Sequence, residues 1–183
     1  MAILDWLKSG GDEGEGTGVG SSGESSETES VRKIVEELEG MAEERARFIA
    51  CFSYILGRVA NADMEISDEE TRAMERVVVE QGHIPPEQAV VVVHMAKTHN
   101  QLFGHTENYL VTREFDEVAS RDEKLALLDC LMAVSASDES ISSEESAEVR
   151  KIADELHLTR DDFISARSRY REHLDVLKER EEG

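Results

Sequence analysis

The stretch Ala62-Asp63-Met64-Glu65-Ile66-Ser67-Asp68-Glu69-Glu70 recurs as Ser137-Asp138-Glu139-Ser140-Ile141-Ser142-Ser143-Glu144-Glu145. The two copies are offset by 75 residues, from Asp63 to Asp138, and their Asp, Ile, Ser, Glu and Glu align without a gap. Each copy follows an apolar run of helical period and opens a second helix. One helical hairpin has therefore been used twice, with an acidic turn at each bend. The fold this implies is all-α, a compact bundle with an internal duplication.

Outward from the turns, apolar spacing of 3.6 residues dominates. Val31, Ile34, Val35 and Leu38 predict a short helix ending at Gly40, where glycine suits a left-handed C-cap. Phe48, Phe52, Ile55, Leu56 and Val59 form an inward stripe ahead of the first turn. Met74, Val77 and Val78 lie on the helix after it, which stops near Gly82. Pro85-Pro86 starts another helix, since proline is tolerated in a first turn, and the Val90 to Val93 block is read as its buried midsection. A helix from about Glu107 to Ala119 follows. Ser120-Arg121-Asp122-Glu123 is a capping box that opens a helix with Leu125, Leu128, Leu131, Met132 and Ala133 inward. Ser142 to Leu156 mirrors the earlier second helix. Thr159 caps a last long helix with Phe163, Ala166, Tyr170, Leu174 and Leu177 on one face. The total is seven or eight helices, and no segment alternates as a half-buried strand does.

Three regions follow from composition: an apolar peptide over residues 1–8, a disordered Gly-, Ser- and acid-rich linker over 9–29, and a helical domain over 30–183. The formal net charge of −21 repels phosphate backbones, so no nucleic-acid partner is expected. Such a surface attracts divalent cations or basic partners. Cys51 and Cys130, the two cysteines, lie in apolar helical runs and are read as reduced, buried thiols. No run approaches the roughly 20 apolar residues of a membrane span, and the opening lacks the basic and apolar regions of a secretory signal. The expected location is the cytoplasm.

Capping accounts for much of each repeated turn. Ser67 with Glu70, and Ser142 with Glu145, have the spacing of a capping box, and Ile66 and Ile141 fit as hydrophobic staples. Asp63 and Asp138 are different. Each stands just past the C-terminal end of a helix, where the macrodipole disfavours negative charge. An Asx-turn explains them, and so does a cation held in the turn. If helices alternate up and down, both turns emerge at one end of the bundle. Carboxylates about 5 Å apart at an effective dielectric near 20 repel by roughly 3 kcal/mol, and hard oxygen ligands select Ca2+ or Mg2+ over zinc. The EF-hand template does not fit: aligned on Asp63, Asp68 stands where glycine is required and Met74 where the bidentate glutamate belongs.

At these residues the chain resembles the TerB-like family, named for tellurite-resistance proteins. The family turn reads Ala-Asp-Gly-x-Ile-Ser-x-x-Glu and occurs twice in an all-helical domain. The resemblance spans roughly Ala46 to Leu177 and departs from the pattern at Met64 and Glu139, where glycine is usual. It implies a non-enzymatic interaction or sensing module, found alone in stress-linked operons or fused to others such as DnaJ-type co-chaperones. It also implies an acidic metal site, whose carried-over ligands are Asp63, Glu70, Asp138 and Glu145, with Glu65, Asp68, Glu69 and Glu144 secondary.

Other motifs are bland. The six histidines, His83, His94, His99, His105, His157 and His173, show no HExxH spacing and read as surface or loop residues. No nucleophile elbow or phosphate loop occurs. Arg167, Arg169, Arg171, Lys178 and Arg180 on the last helix read as a solvated face, with contact to an acidic partner as the alternative. Ile3, Leu4, Trp6 and Leu7 make a tethered apolar end suited to docking on a protein partner or touching a membrane interface. That end is the basis of a second reading, an adaptor recruited to a membrane or larger assembly.

Overall fold

The computed structural model describes residues 33–34, 36–60, 68–97, 108–136 and 141–173. Among them are seven α-helices and one 3-10 turn, besides the helical residues 33–34 and 36–39, and no strand. The helices are α1 (Glu43–Val59), α2 (Asp68–Glu80), α3 (Pro86–Lys97), α4 (Asn108–Val118), α5 (Arg121–Ser135), α6 (Ser143–Glu155) and α7 (Arg160–Ser168), followed by the 3-10 turn Arg171–His173. The all-α bundle expected from the repeat is what forms.

Helix α1 is the axis. Every residue from Phe48 to Gly57 is buried, because α3, α4, α5 and α6 all pack against it. The sequence shows a one-sided stripe, and the structure buries the other faces too, including Ile49, Cys51 and Tyr54. The Phe48, Phe52 and Phe115 rings interlock with centroids 5.3 to 6.2 Å apart, a spacing aromatic pairs favour. Around this axis α2 lies on α3 and α5, while α5 carries α6 and α7.

The duplication extends past the turns. Helices α2 and α6 are each 13 residues long. Each is followed, after two residues for α2 and one for α6, by a histidine with positive φ, His83 at 52° and His157 at 57°, and then by a buried Ile84 or Leu158. After α6 the Leu158 N–H reaches the Ala153 carbonyl at 3.0 Å and the His157 N–H reaches Asp154 at 3.2 Å. These are the two bonds of a Schellman ending. The left-handed residue is thus histidine, not the glycine that sequence rules lead one to expect.

Four expectations are corrected. Gly40 does not adopt a left-handed conformation, and its N–H simply continues the helical ladder to the Glu36 carbonyl at 3.1 Å. Val90 faces solvent while Val91, Val92 and Val93 are buried, as three consecutive buried residues already occupy the inward faces of α3. Ile141 is buried, yet it is no staple, because the position it would clasp is Ser146; it packs instead with Ala136 and Tyr170. The last helix stops at Ser168. Its final N–H groups tighten to i−3 partners (Arg169 to Ala166, Tyr170 to Arg167), which turns Tyr170 onto Ala136 and Ile141 and lets the His173 carbonyl accept from the Ile141 N–H. Residues 174–183, with Leu174 and Leu177, lie outside the described residues.

Candidate functional site

Of the four carboxylates singled out from the turns, Asp63 and Asp138 lie outside the described residues, as does the Glu70 side chain. Glu145 is described. Its Oε2 accepts from the Ser142 N–H at 2.9 Å, while the Glu145 N–H donates to Ser142 Oγ at 3.1 Å. The second turn therefore closes as the capping box its spacing predicts. The same device opens α5, between Ser120 and Glu123, and α7, between Thr159 and Asp162. One carboxylate oxygen of Glu145 is committed to the cap, so a cation in the turn would find a single ligand oxygen there. Among the described residues no three His, Cys, Asp or Glu side chains gather as a metal-binding group.

What the structure adds beside the first turn is Arg58. It stands on the last turn of α1, just before the residues of the acidic repeat, with 2% of its side chain exposed. Nε donates to Glu148 Oε1 at 3.0 Å, and Nη1 donates to Thr112 Oγ1 at 2.7 Å and to Glu155 Oε2 at 3.2 Å. Thr112, wholly buried, passes its own proton to the Asn108 carbonyl at 2.8 Å. Every group in the network has a partner, which a buried polar cluster requires. Arg58 thus joins the end of the first hairpin's leading helix to α4 and to α6, the second hairpin's closing helix. The same cation complements the C-terminal dipole of α1.

A second polar cluster lies at the other histidine-terminated end. Asp116 accepts from Lys124 Nζ at 2.7 Å and lies 3.2 Å from His157 Nδ1. Burial alone would push the Asp116 carboxyl up, but the hydrogen bonds and charges of Lys124 and His157 outweigh it and hold the group below the ordinary carboxylate range. Where α1, the end of α2 and the start of α5 meet there is a notch of about 100 Å³ lined by Arg45, Phe48, His83, Ile84, Asp122 and Glu123. Arg45 lies 4.8 Å above the Phe48 ring and donates to Gln88 at 2.7 Å, and Glu123 serves the α5 cap. No Ser, Thr, Cys or Lys is among the described residues that line this notch. Cys51 and Cys130 are both buried, and burial pushes each thiol up to about 12, which makes them poor nucleophiles.

The matching span now has structural meaning. A family model described as tellurite resistance protein TerB matches residues 49–168. The chain belongs to the TerB family. The TerB span starts inside α1, contains both acidic turns and ends on the last residue of α7. It therefore takes in the Arg58 network and both acidic turns, and leaves out residues 1–48, with the start of α1, and residues 169–183. No curated protein and no solved structure matches the chain.

Sequence reasoning missed Arg58 and the paired histidine endings. A signal for the first was present: Arg58 interrupts the run Ile55-Leu56-Gly57-Arg58-Val59 on a helix otherwise built for the core. A charge in such a place is buried only with partners. The histidines carried no comparable signal, since nothing in His83 or His157 marks a left-handed residue.

Proposed function

We propose that this TerB-family chain is a non-enzymatic helical module of a cytoplasmic stress response, in which a divalent cation held by Asp63, Glu70, Asp138 and Glu145 sets the packing of its two hairpins and so governs contact with a protein partner. The observation that carries this reading is the gap-free repeat of Asp and Glu in both turns of a TerB domain, together with the Arg58 bridge from the first turn's helix to α6. The donor set is all carboxylate, which suits Ca2+ or Mg2+. Glu145 supports it to the extent of its one oxygen outside the cap. When bound, the cation would supply charge neutralisation between acids that otherwise repel. The chain's own part is done by Arg58, whose hydrogen bonds make a change at the first turn felt at Glu148 and Glu155.

Isothermal titration calorimetry of the intact protein with CaCl2 and with MgCl2 tests this. Saturable heat is expected, and it should be lost in the Asp63→Asn/Asp138→Asn variant. Absence of saturable heat in the unsubstituted protein with both ions would end the cation part of the reading. Among the described residues no helix is long and apolar enough to cross a membrane. In the adaptor reading, a peripheral membrane contact would be made through Ile3, Leu4, Trp6 and Leu7.

A further inference from the structure

In a chain with 41 acidic and 20 basic residues, excluding His, cations usually find a carboxylate nearby. On α2, α4 and α6 they do: Arg72, Arg76, Arg113, Arg150 and Lys151 each have an Asp or Glu three or four positions away, the spacing at which helical side chains meet. Helix α7 departs from this. Arg160 has Phe163 and Ile164 at those spacings, and Arg167 has Phe163, Ile164, Tyr170 and Arg171. Residues 160, 164 and 167 share one face of the helix. Neither arginine forms an ion pair with a described residue, nor does Arg171 in the 3-10 turn beyond. Arg167 Nε is buried with no hydrogen-bond partner among the described residues, an uncommon state for a buried donor. Between the two arginines Ile164 is 48% exposed, one of the large apolar side chains left in solvent. Of the two acids of α7, Asp162 is held by the Thr159 cap and by Arg121 at 2.9 Å, and Asp161 forms no ion pair with a described residue.

The chain itself carries a segment of the opposite character. Residues 9–30 hold six acids, Asp12, Glu13, Glu15, Glu24, Glu27 and Glu29, and no Lys or Arg. Directly before them stand Ile3, Leu4, Trp6 and Leu7. A stretch of 22 residues can span up to roughly 70 Å, against a diameter of about 40 Å for a domain of this size, so its contour reaches any face. We infer that the N-terminal segment, residues 1–30, docks in cis along α7, its acids against Arg160, Arg167 and Arg171 and its apolar start against Ile164. The fit is one of charge and of apolar content together: a basic face with an apolar centre, and an acidic tether with an apolar end. Docked in this way, the Trp6 peptide is withheld from other surfaces until the contact is released. The inference does not depend on a cation in the turns.

Trp6 is the one tryptophan of the chain and reports directly. In the full-length protein at low salt, its emission should be blue-shifted and its acrylamide quenching severalfold weaker than in a free peptide of residues 1–30. Arg160→Glu/Arg171→Glu and, separately, Ile164→Ser should return both readings to the peptide's values, as should 0.5 M NaCl, because surface ion pairs are screened. Removing the acids from the other side, with Glu24→Gln/Glu27→Gln/Glu29→Gln, should do the same without touching the folded domain, and circular dichroism checks that all variants keep their helices. Quenching equal to the free peptide's at low salt would overturn the inference. So would protection that ignores both sets of substitutions, protection that rises with protein concentration (a second copy as occupant), or a blue shift that appears only with lipid vesicles.

Discussion

Taking the Arg58 guanidinium out of water costs several kcal/mol, and only close, complete pairing offsets that. The four hydrogen bonds to Glu148, Glu155 and Thr112 provide such pairing. Removing one member of a buried pair typically costs 3–5 kcal/mol because the partner charge is left stranded. Here the stranded charges differ: Glu148 is 32% exposed and can rehydrate, whereas Glu155 is 12% exposed and cannot do so fully. Arg58→Met should therefore destabilise the fold by about 2–4 kcal/mol, read by urea unfolding. Adding Glu155→Leu to Arg58→Met should recover part of that loss. A loss under about 0.5 kcal/mol would show that the two hairpins do not rely on this bridge. Arg58 also marks where sequence reading stopped. Its neighbours Ile55, Leu56 and Val59 announce a buried helix, but nothing local says that its partners stand 54, 90 and 97 residues away. Long-range pairing is invisible to periodicity.

At the level of helices, signals that depend on neighbouring residues were legible. Ser120, Ser142 and Thr159 all cap as their spacing requires, and Pro86 opens α3 from the first turn, with the Pro85 carbonyl accepting from Gln88 and Ala89 at 2.9 Å. Helix ends were less legible, because they are decided by tertiary contacts. The tightening at Ser168 follows from where Tyr170 must pack, and at Gly40 the N–H stays on the Glu36 carbonyl. Gly82 shows the same principle in a glycine whose role is close approach. A Cβ at that position would lie 2.5 Å from the Val78 carbonyl oxygen and 3.0 Å from the Phe52 ring. Backbone and a core aromatic must both yield, so Gly82→Ala should cost about 1–3 kcal/mol, and the Gly40→Ala control, whose nearest neighbour would be the Glu37 carbonyl at 3.4 Å, should cost nothing measurable or stabilise slightly. Paired thermal melts decide this. Equal shifts for the two variants would mean that the end of α2 relaxes freely and that the first histidine ending is not a fixed feature of the duplication.

For the whole molecule, the all-α class was legible because a gap-free repeat and 3.6-residue spacing both survive in the sequence, whereas the relation of the two acidic turns was not, because it depends on how hairpins 75 residues apart are set against each other. Net charge complicates any test of that relation. A formal charge of −21 destabilises the compact state through self-repulsion, so any salt, cations included, raises stability by screening, with a Debye length of about 10 Å at 0.1 M. A cation site must show itself above that background. With NaCl adjusted to equal ionic strength, Ca2+ at tenfold its dissociation constant adds about 1.4 kcal/mol to the folded state if it binds only there. For a domain of this size that corresponds to an extra rise in Tm of about 3–6 °C. The increment should vanish in Asp63→Asn/Asp138→Asn, although that variant, with two negative charges fewer, should itself start from a slightly higher Tm in low salt. If Ca2+ and NaCl at matched ionic strength give the same Tm in both proteins, the acids of the turns act only as helix caps and as part of the general negative surface. Arg58 would then be a structural brace and not a relay.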